Sequence, residues 1–179
     1  MLNRLLICLF CLLFFNNLTA QWIRLTDNSP PDVIGSMSID ATSDGTVAYV
    51  VTEKDIQDSV FSLIKISHDF GSTWKQHQTN SKYRFQSAMD ISICDSLHIC
   101  YGTDNGKIFT SEDGGETWQL RFYDVFKTDF INYVEMFNGR QGVAMGDHSC
   151  GEVAQILKTE DGGRRWVSMN DSAFGGSSG

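Results

Sequence analysis

The chain has 179 residues, of which 41% are hydrophobic, 12% aromatic and 20% charged, with 16 Gly and only 2 Pro. That size and balance suit one ordinary domain and exclude a collagen-like, coiled-coil or disordered chain. Lys and Arg number 14 against 22 Asp and Glu, a formal charge of −8, which excludes the basic footprint that nucleic acid or an anionic membrane surface requires.

The chain opens with Arg4 and an apolar run from Leu5 to Phe15, about half the roughly 20 residues a membrane-spanning helix needs. Leu18-Thr19-Ala20 then places a small residue before Gln21, as signal peptidase requires. Residues 1–20 therefore read as a signal peptide cleaved after Ala20. The expected address is secreted, periplasmic or cell-surface, with no membrane insertion after cleavage. Cleavage leaves Cys94, Cys100 and Cys150, an odd number that cannot form a disulfide-built scaffold. The fold must rest on its core.

Short β-branched runs follow in regular order. Trp22-Ile23-Arg24-Leu25 leads. Ser36–Ala41 and Val47–Val51 flank a turn at Ser43-Asp44-Gly45, and Leu63–Ile66 follows. The same sequence of runs returns as 89–93, 97–101 and 107–110, and again as 133–137, 141–145 and 155–158. Hairpin turns are expected at Asp95-Ser96 and at Asn138-Gly139-Arg140. No stretch after the signal carries a helical period. In the second hairpin a turn at Asp95-Ser96 pairs Cys94 with Leu97 and sets Cys100 about 10 Å away along its strand. That exceeds the roughly 7 Å Cα limit for a disulfide. No 94–100 bond is expected, and Cys100 with Cys150 is the more natural pair.

After each third run comes an eight-residue box. Ser67-His68-Asp69-Phe70-Gly71-Ser72-Thr73-Trp74, Ser111-Glu112-Asp113-Gly114-Gly115-Glu116-Thr117-Trp118 and Thr159-Glu160-Asp161-Gly162-Gly163-Arg164-Arg165-Trp166 share the pattern Ser/Thr-x-Asp-x-Gly-x-x-Trp. Their Trp residues fall 44 and 48 positions apart. Internal repetition at such a period marks a repeat architecture. A short carboxylate such as Asp69, Asp113 or Asp161 can accept backbone N–H bonds of its own turn. Gly71, Gly115 and Gly163 permit positive φ, the Ser and Thr hydroxyls add a bond, and each Trp offers surface for packing between units. These residues are expected to build turns rather than to catalyse or bind metal.

The box resembles the Asp-box (BNR) repeat of sialidases, sortilin-type receptors, xyloglucanases and photosystem II assembly-factor-like proteins. The Asp-Gly-Gly form at 113–115 and 161–163, with Tyr101-Gly102-Thr103 and Met145-Gly146-Asp147 upstream, looks most like the assembly-factor-like group. Phe70 and the pair Arg164-Arg165 depart from the pattern. The resemblance spans roughly residues 22–168 and implies an all-β fold, a β-propeller. Three four-stranded blades are visible, with the box in each C–D turn. The implied layout is a signal peptide at 1–20, propeller blades over 21–170 and a flexible tail at 171–179. Propellers ordinarily hold four to eight blades, so the chain is expected either to be a piece of a longer one or to close as a dimer.

Loops carry ligands more often than strands do. The B–C turns and D–A loops, opposite the boxes, supply Glu53, Asp55, Asp104, Asp147 and His148 as candidate ligand-facing residues, with Tyr83, Phe122 and Tyr123 able to stack on a sugar or peptide. Asp147, His148, Cys150 and Glu152 crowd one loop, but zinc sites want well-separated or paired ligands, and the loop reads as a solvated turn. A glycosidase would need two carboxyls at a set separation. The sialidase branch carries Phe/Tyr-Arg-Ile-Pro, whereas Tyr83-Arg84-Phe85-Gln86 lacks the Ile-Pro and both prolines lie at 30 and 31. No nucleophile elbow or phosphate loop is present. The sequence thus implies an exported binding or scaffold module for a protein or peptide, without cofactor or metal. A carbohydrate-active propeller, hydrolase or lectin-like, stands as the alternative.

Overall fold

The computed structural model describes residues 33–54, 60–79, 87–148 and 154–169. The expected signal peptide, the strand at Trp22, the tail, Asp55, Tyr83 and Cys150 lie outside these residues. Within them the chain is all-β. Its twelve strands form three separate four-stranded antiparallel sheets, each in simple sequence order.

The first blade comprises β1 (Val33–Ala41), β2 (Val47–Lys54), β3 (Val60–Ser67) and β4 (Lys75–Gln78). The second comprises β5 (Ala88–Ile93), β6 (Ile99–Thr103), β7 (Lys107–Ser111) and β8 (Gln119–Tyr123). The third comprises β9 (Phe130–Met136), β10 (Gly142–Asp147), β11 (Ala154–Thr159) and β12 (Val167–Ser168). Consecutive antiparallel strands need only short turns, and the Gly-, Asp- and Asn-rich segments between the apolar runs supply them. Each box occupies the turn from the third strand to the fourth.

One register differs from the sequence expectation. The second hairpin turns over Cys94–His98, with the Cys94 N–H donating to the His98 carbonyl at 2.9 Å and Ile93 opposite Ile99. A turn centred on Asp95-Ser96 would instead have paired Cys94 with Leu97. The cause is Asp95, whose carboxylate accepts the N–H groups of both Leu97 and His98 at 2.9 Å and widens the loop by a residue. Cys94 and Cys100 are both free thiols, so Cys100 does not form the expected bond with Cys150.

Two apolar cores lie between the blades rather than within them. Ala48, Val50, Ile64 and Ile66 of blade one meet Ile91, Tyr101, Phe109 and Trp118 of blade two. Cys100 and Ile108 of blade two meet Ile131, Val134, Ala144, Leu157 and Trp166 of blade three. The facing sides of adjacent blades are therefore withdrawn from water, the main favourable contribution to folding.

The first strands of the blades lie side by side, and polar side chains stitch them together. Ser38 Oγ donates to Asp90 Oδ1 at 2.6 Å, and Asp40 Oδ2 accepts the Ile93 N–H at 2.6 Å. Asp90 Oδ2 accepts the Val134 N–H at 2.8 Å, and Ser92 Oγ accepts the Met136 N–H at 3.0 Å. Backbone donors that no neighbouring strand of their own sheet serves are thus satisfied across the blade boundary.

Candidate functional site

The two ends of the blades differ chemically. At the box end the same hydrogen-bond set is built three times. Ser67 Oγ donates to Asp69 Oδ1 at 2.7 Å and accepts the Gly71 N–H at 2.8 Å, while Asp69 accepts the Thr73 N–H at 2.8 Å and the Thr73 hydroxyl at 2.6 Å. Ser111, Asp113, Gly115 and Thr117 repeat this set. In the third box Thr159 Oγ1 donates to Asp161 at 2.9 Å and accepts the Gly163 N–H at 2.9 Å, and Asp161 accepts the Arg165 N–H at 2.9 Å. Arg165 has no hydroxyl to give, so one bond of the set is missing there.

These bonds fix the charge state of the box carboxylates. Asp69 and Asp113 are held down to about 2 by the Thr73 and Thr117 hydroxyls first and then by the backbone N–H groups of those residues. Asp161 is lowered chiefly by the Arg165 N–H. A general acid would need the opposite displacement. The box acids are spent on their own turns.

The residue after each box Asp ties the box to the first turn of the same blade. The N–H groups of Phe70, Gly114 and Gly162 donate to the carbonyls of Gly45, Leu97 and Arg140 at 3.0, 2.9 and 2.8 Å. All three residues have positive φ, so Phe70, at 57°, holds a conformation that suits glycine. The box glycine two places beyond the Asp approaches the blade before it. A Cβ on Gly115 would lie 2.2 Å from Ile66 Cδ1, and one on Gly163 would lie 2.9 Å from Thr110 Cγ2. Trp118 stacks edge-on against Tyr101 with ring centroids 4.8 Å apart, and its indole N–H donates to the Gly115 carbonyl.

At the opposite end the B–C turns meet the D–A loops. Asp104 exchanges two bonds with Ser87: its N–H donates to the Ser87 carbonyl and its carboxylate accepts the Ser87 N–H at 2.9 Å. Thr103 and Asn105 close the same turn at 2.8 Å. Thr128 is fully buried, and its hydroxyl lies 2.8 Å from the Phe130 carbonyl and 2.7 Å from the Asp147 carbonyl, so that its one O–H serves one of the two acceptors at a time. Asn132 donates to the Asp147 carboxylate at 3.1 Å. The loop from Asp124 to Asp129 is a tight turn, with the N–H groups of Lys127 and Thr128 both on the Asp124 carbonyl at 3.0 Å and the Phe126 N–H on its carboxylate. Held this way, the loop carries Val125 and Phe126 outward, with Phe126 84% exposed, beside the exposed ring of Tyr123. Lys107 Nζ lies over that ring, 4.9 Å from its centroid.

The expected ligand-facing residues are thus brought to one end but not to one point. Asp104 braces the entry to blade two, and Asp147 braces the link from blade two to blade three. Glu53 is buried in an ion pair with Lys65 at 3.1 Å on blade one. His148 is half-buried, and Asp55 lies outside the described residues. Among the described residues no group of three or more His, Cys, Asp or Glu could hold a metal ion. Sequence reasoning missed two sets of residues. One is the stitching pair of each inner strand, signalled by the alternation Ser38-Ile39-Asp40 and Asp90-Ile91-Ser92. The other is the Val125-Phe126 tip, signalled by an apolar pair between Asp124 and Asp129.

No family model matches the chain, and no curated protein matches it by sequence. Solved structures do. A structure titled YCF48 bound to D1 peptide superimposes with a TM-score of 0.60 at 14% identity, covering 77% of this chain and 41% of that one. YCF48 from Cyanidioschyzon merolae gives 0.56 at 18%, covering 78% and 41%. The GH74 enzyme of Niastella koreensis gives 0.57 at 18%, covering 75% and 22%. At such identities the likeness is one of fold, and it places the three sheets as blades of a β-propeller. The chain spans about two fifths of the YCF48 structures and about a fifth of the GH74 enzyme.

Proposed function

We propose that this chain is a propeller-type binding module that takes a protein or peptide partner at the loop end of its blades. One observation carries the reading. The tip Tyr123-Val125-Phe126 is apolar, exposed and braced from beneath by buried Thr128, whereas the box-end acids are committed to their own turns. A large aromatic displayed on a rigid loop is the kind of group that anchors an interface. The net charge of −8 favours a neutral or cationic partner over an acidic one. Peptide binding by a propeller of like fold, in the structure titled YCF48 bound to D1 peptide, supports the same reading. Export, suggested by residues 1–20, would put the encounter outside the cytoplasm.

The test is selection of peptides on the full chain from a displayed library, followed by affinity measurements with two variants. Phe126→Ser should weaken the selected peptides about tenfold or more, the effect of removing a central anchor. Phe137→Ser, at another exposed aromatic, in the first turn of blade three at the box end, should leave them unchanged. Equal effects of both variants, or selective capture of a glycan lost in Phe126→Ser, would overturn the peptide reading. The second outcome would favour the carbohydrate alternative.

A further inference from the structure

The exposed Phe126 tip stands among carboxylates. The turn that carries it begins at Asp124 and ends at Asp129. The Asp129 N–H donates to the Asp147 carbonyl at 3.4 Å, and Phe130 pairs with Asp147 in the sheet, so Asp129 and Asp147 emerge side by side. Both are exposed. The B–C turn of blade two abuts the same place: a Cβ on Gly106 would lie 2.3 Å from the Thr128 carbonyl oxygen and 3.1 Å from Asp129 Cα, which brings in Asp104 two residues away. Against these acids stand Lys127, half-buried, and Lys107, buried with its ammonium over the Tyr123 ring. The acids are not equally committed. Asp104 accepts the Ser87 N–H and Asp124 the Phe126 N–H. Asp147 gives one oxygen to Asn132, and among the described residues nothing donates to the Asp129 carboxylate.

Asp129 follows Phe126 by three residues, at most about 10 Å of chain. An extended partner sets side chains on one side at every second residue, about 7 Å apart. When its apolar residue covers Phe126, the side chain one or two positions away comes over Asp129 and Asp147. An acidic group there meets like charge. A neutral group draws water off the carboxylates and gives little back. A Lys ammonium or an Arg guanidinium instead makes charge-assisted hydrogen bonds to them. We infer that the loop-end site selects a basic peptide, with Lys or Arg within two positions of the large apolar residue that packs on Phe126, and that Asp129 and Asp147 read the positive charge. This selectivity rests on the loop-end peptide site proposed above and fixes the charge class of its partner.

The probes are peptides selected on the full chain from a random displayed library, then synthesised and followed by fluorescence anisotropy. Lys or Arg should stand within two positions of a large apolar residue in most of them. Changing that basic residue to Gln should weaken binding about threefold or more, the scale of an exposed ion pair. So should about 1 M NaCl, where the Debye length shrinks to about 3 Å. Asp129→Asn and Asp147→Asn should each weaken the basic peptide about threefold and leave its Gln version unchanged. Asp129→Lys should turn the preference toward a version carrying Glu. Asp129 is exposed, and Asn at 147 keeps an acceptor for Asn132, so these variants fold. Peptides that need Phe126 but carry no basic residue, or that ignore the charges at 129 and 147, overturn the selectivity and leave the peptide site standing. An empty selection, or binders indifferent to Phe126→Ser, overturns the peptide site and the selectivity with it.

Discussion

The packing of one blade's box against the blade before it can be measured with two substitutions. Gly115 has φ of 91°, and a Cβ there would sit 2.2 Å from Ile66 Cδ1 but 3.6 Å from Ile66 Cγ1. Gly115→Ala therefore incurs two costs. Positive φ in an alanine costs about 1–2 kcal/mol, and forcing a methyl against Cδ1 costs about 1–3 kcal/mol more. Ile66→Val removes Cδ1 alone and by itself costs about 0.5–1.5 kcal/mol. In the double variant the backbone strain persists but the clash is gone, since 3.6 Å is ordinary contact. The double should thus be more stable than the sum of the singles by about 1–3 kcal/mol. Urea denaturation of all four proteins, with equal m-values, gives the coupling. Additivity within about 0.5 kcal/mol would mean that residues 66 and 115 do not touch, and that the blades do not stack as described.

Three further outcomes follow from the same geometry. Phe70→Gly should raise the melting temperature by a few degrees, because an exposed side chain now holds φ of 57° at a cost of roughly 1 kcal/mol; a lowered melting temperature would show that the ring's contact with Gly45 matters more. Asp69 and Asp113 bind protons more weakly folded than unfolded, so the stability they confer is present above about pH 4 and lost as pH falls toward about 2. The urea midpoint should fall across that window, and Asp113→Asn should flatten the fall; a midpoint independent of pH would refute the box bonding. Burial raises the thiol pKa of both Cys94 and Cys100, far more for the fully buried Cys100, so alkylation of the native chain followed by peptide mapping should label 94 before 100 and find no 94–100 crosslink.

The fold was legible where its cause is local. Ser67, Asp69 and Gly71 bond one another within five residues, so the turn chemistry is written in the string itself, and its triple recurrence gives the blades. The Cys94–His98 register was less legible because Asp95 accepts from two successive backbone donors, which the dipeptide Asp-Ser does not announce. Least legible were Asp40 with Ile93 and Asp90 with Val134. Those partners lie in different blades, and only the stacked assembly brings them together. The loop end shows the same limit: Asp104 and Asp147 are on it, as their positions between strands imply, yet both are braces, and the exposed tip belongs to Phe126, in a loop held by buried Thr128.

Radial stacking of three boxed blades is what positions the loop-end tip, and a methyl NOESY spectrum tests it most directly. Cross-peaks are expected from Ile66 Cδ1 protons to Gly115 Hα and from Thr110 Cγ2 protons to Gly163 Hα, pairs that would crowd a Cβ at 2.2 and 2.9 Å. Absence of both, in a spectrum that retains the cross-strand peaks of Val50 with Ile64 and of Tyr101 with Phe109, would leave three independent sheets and contradict the propeller arrangement.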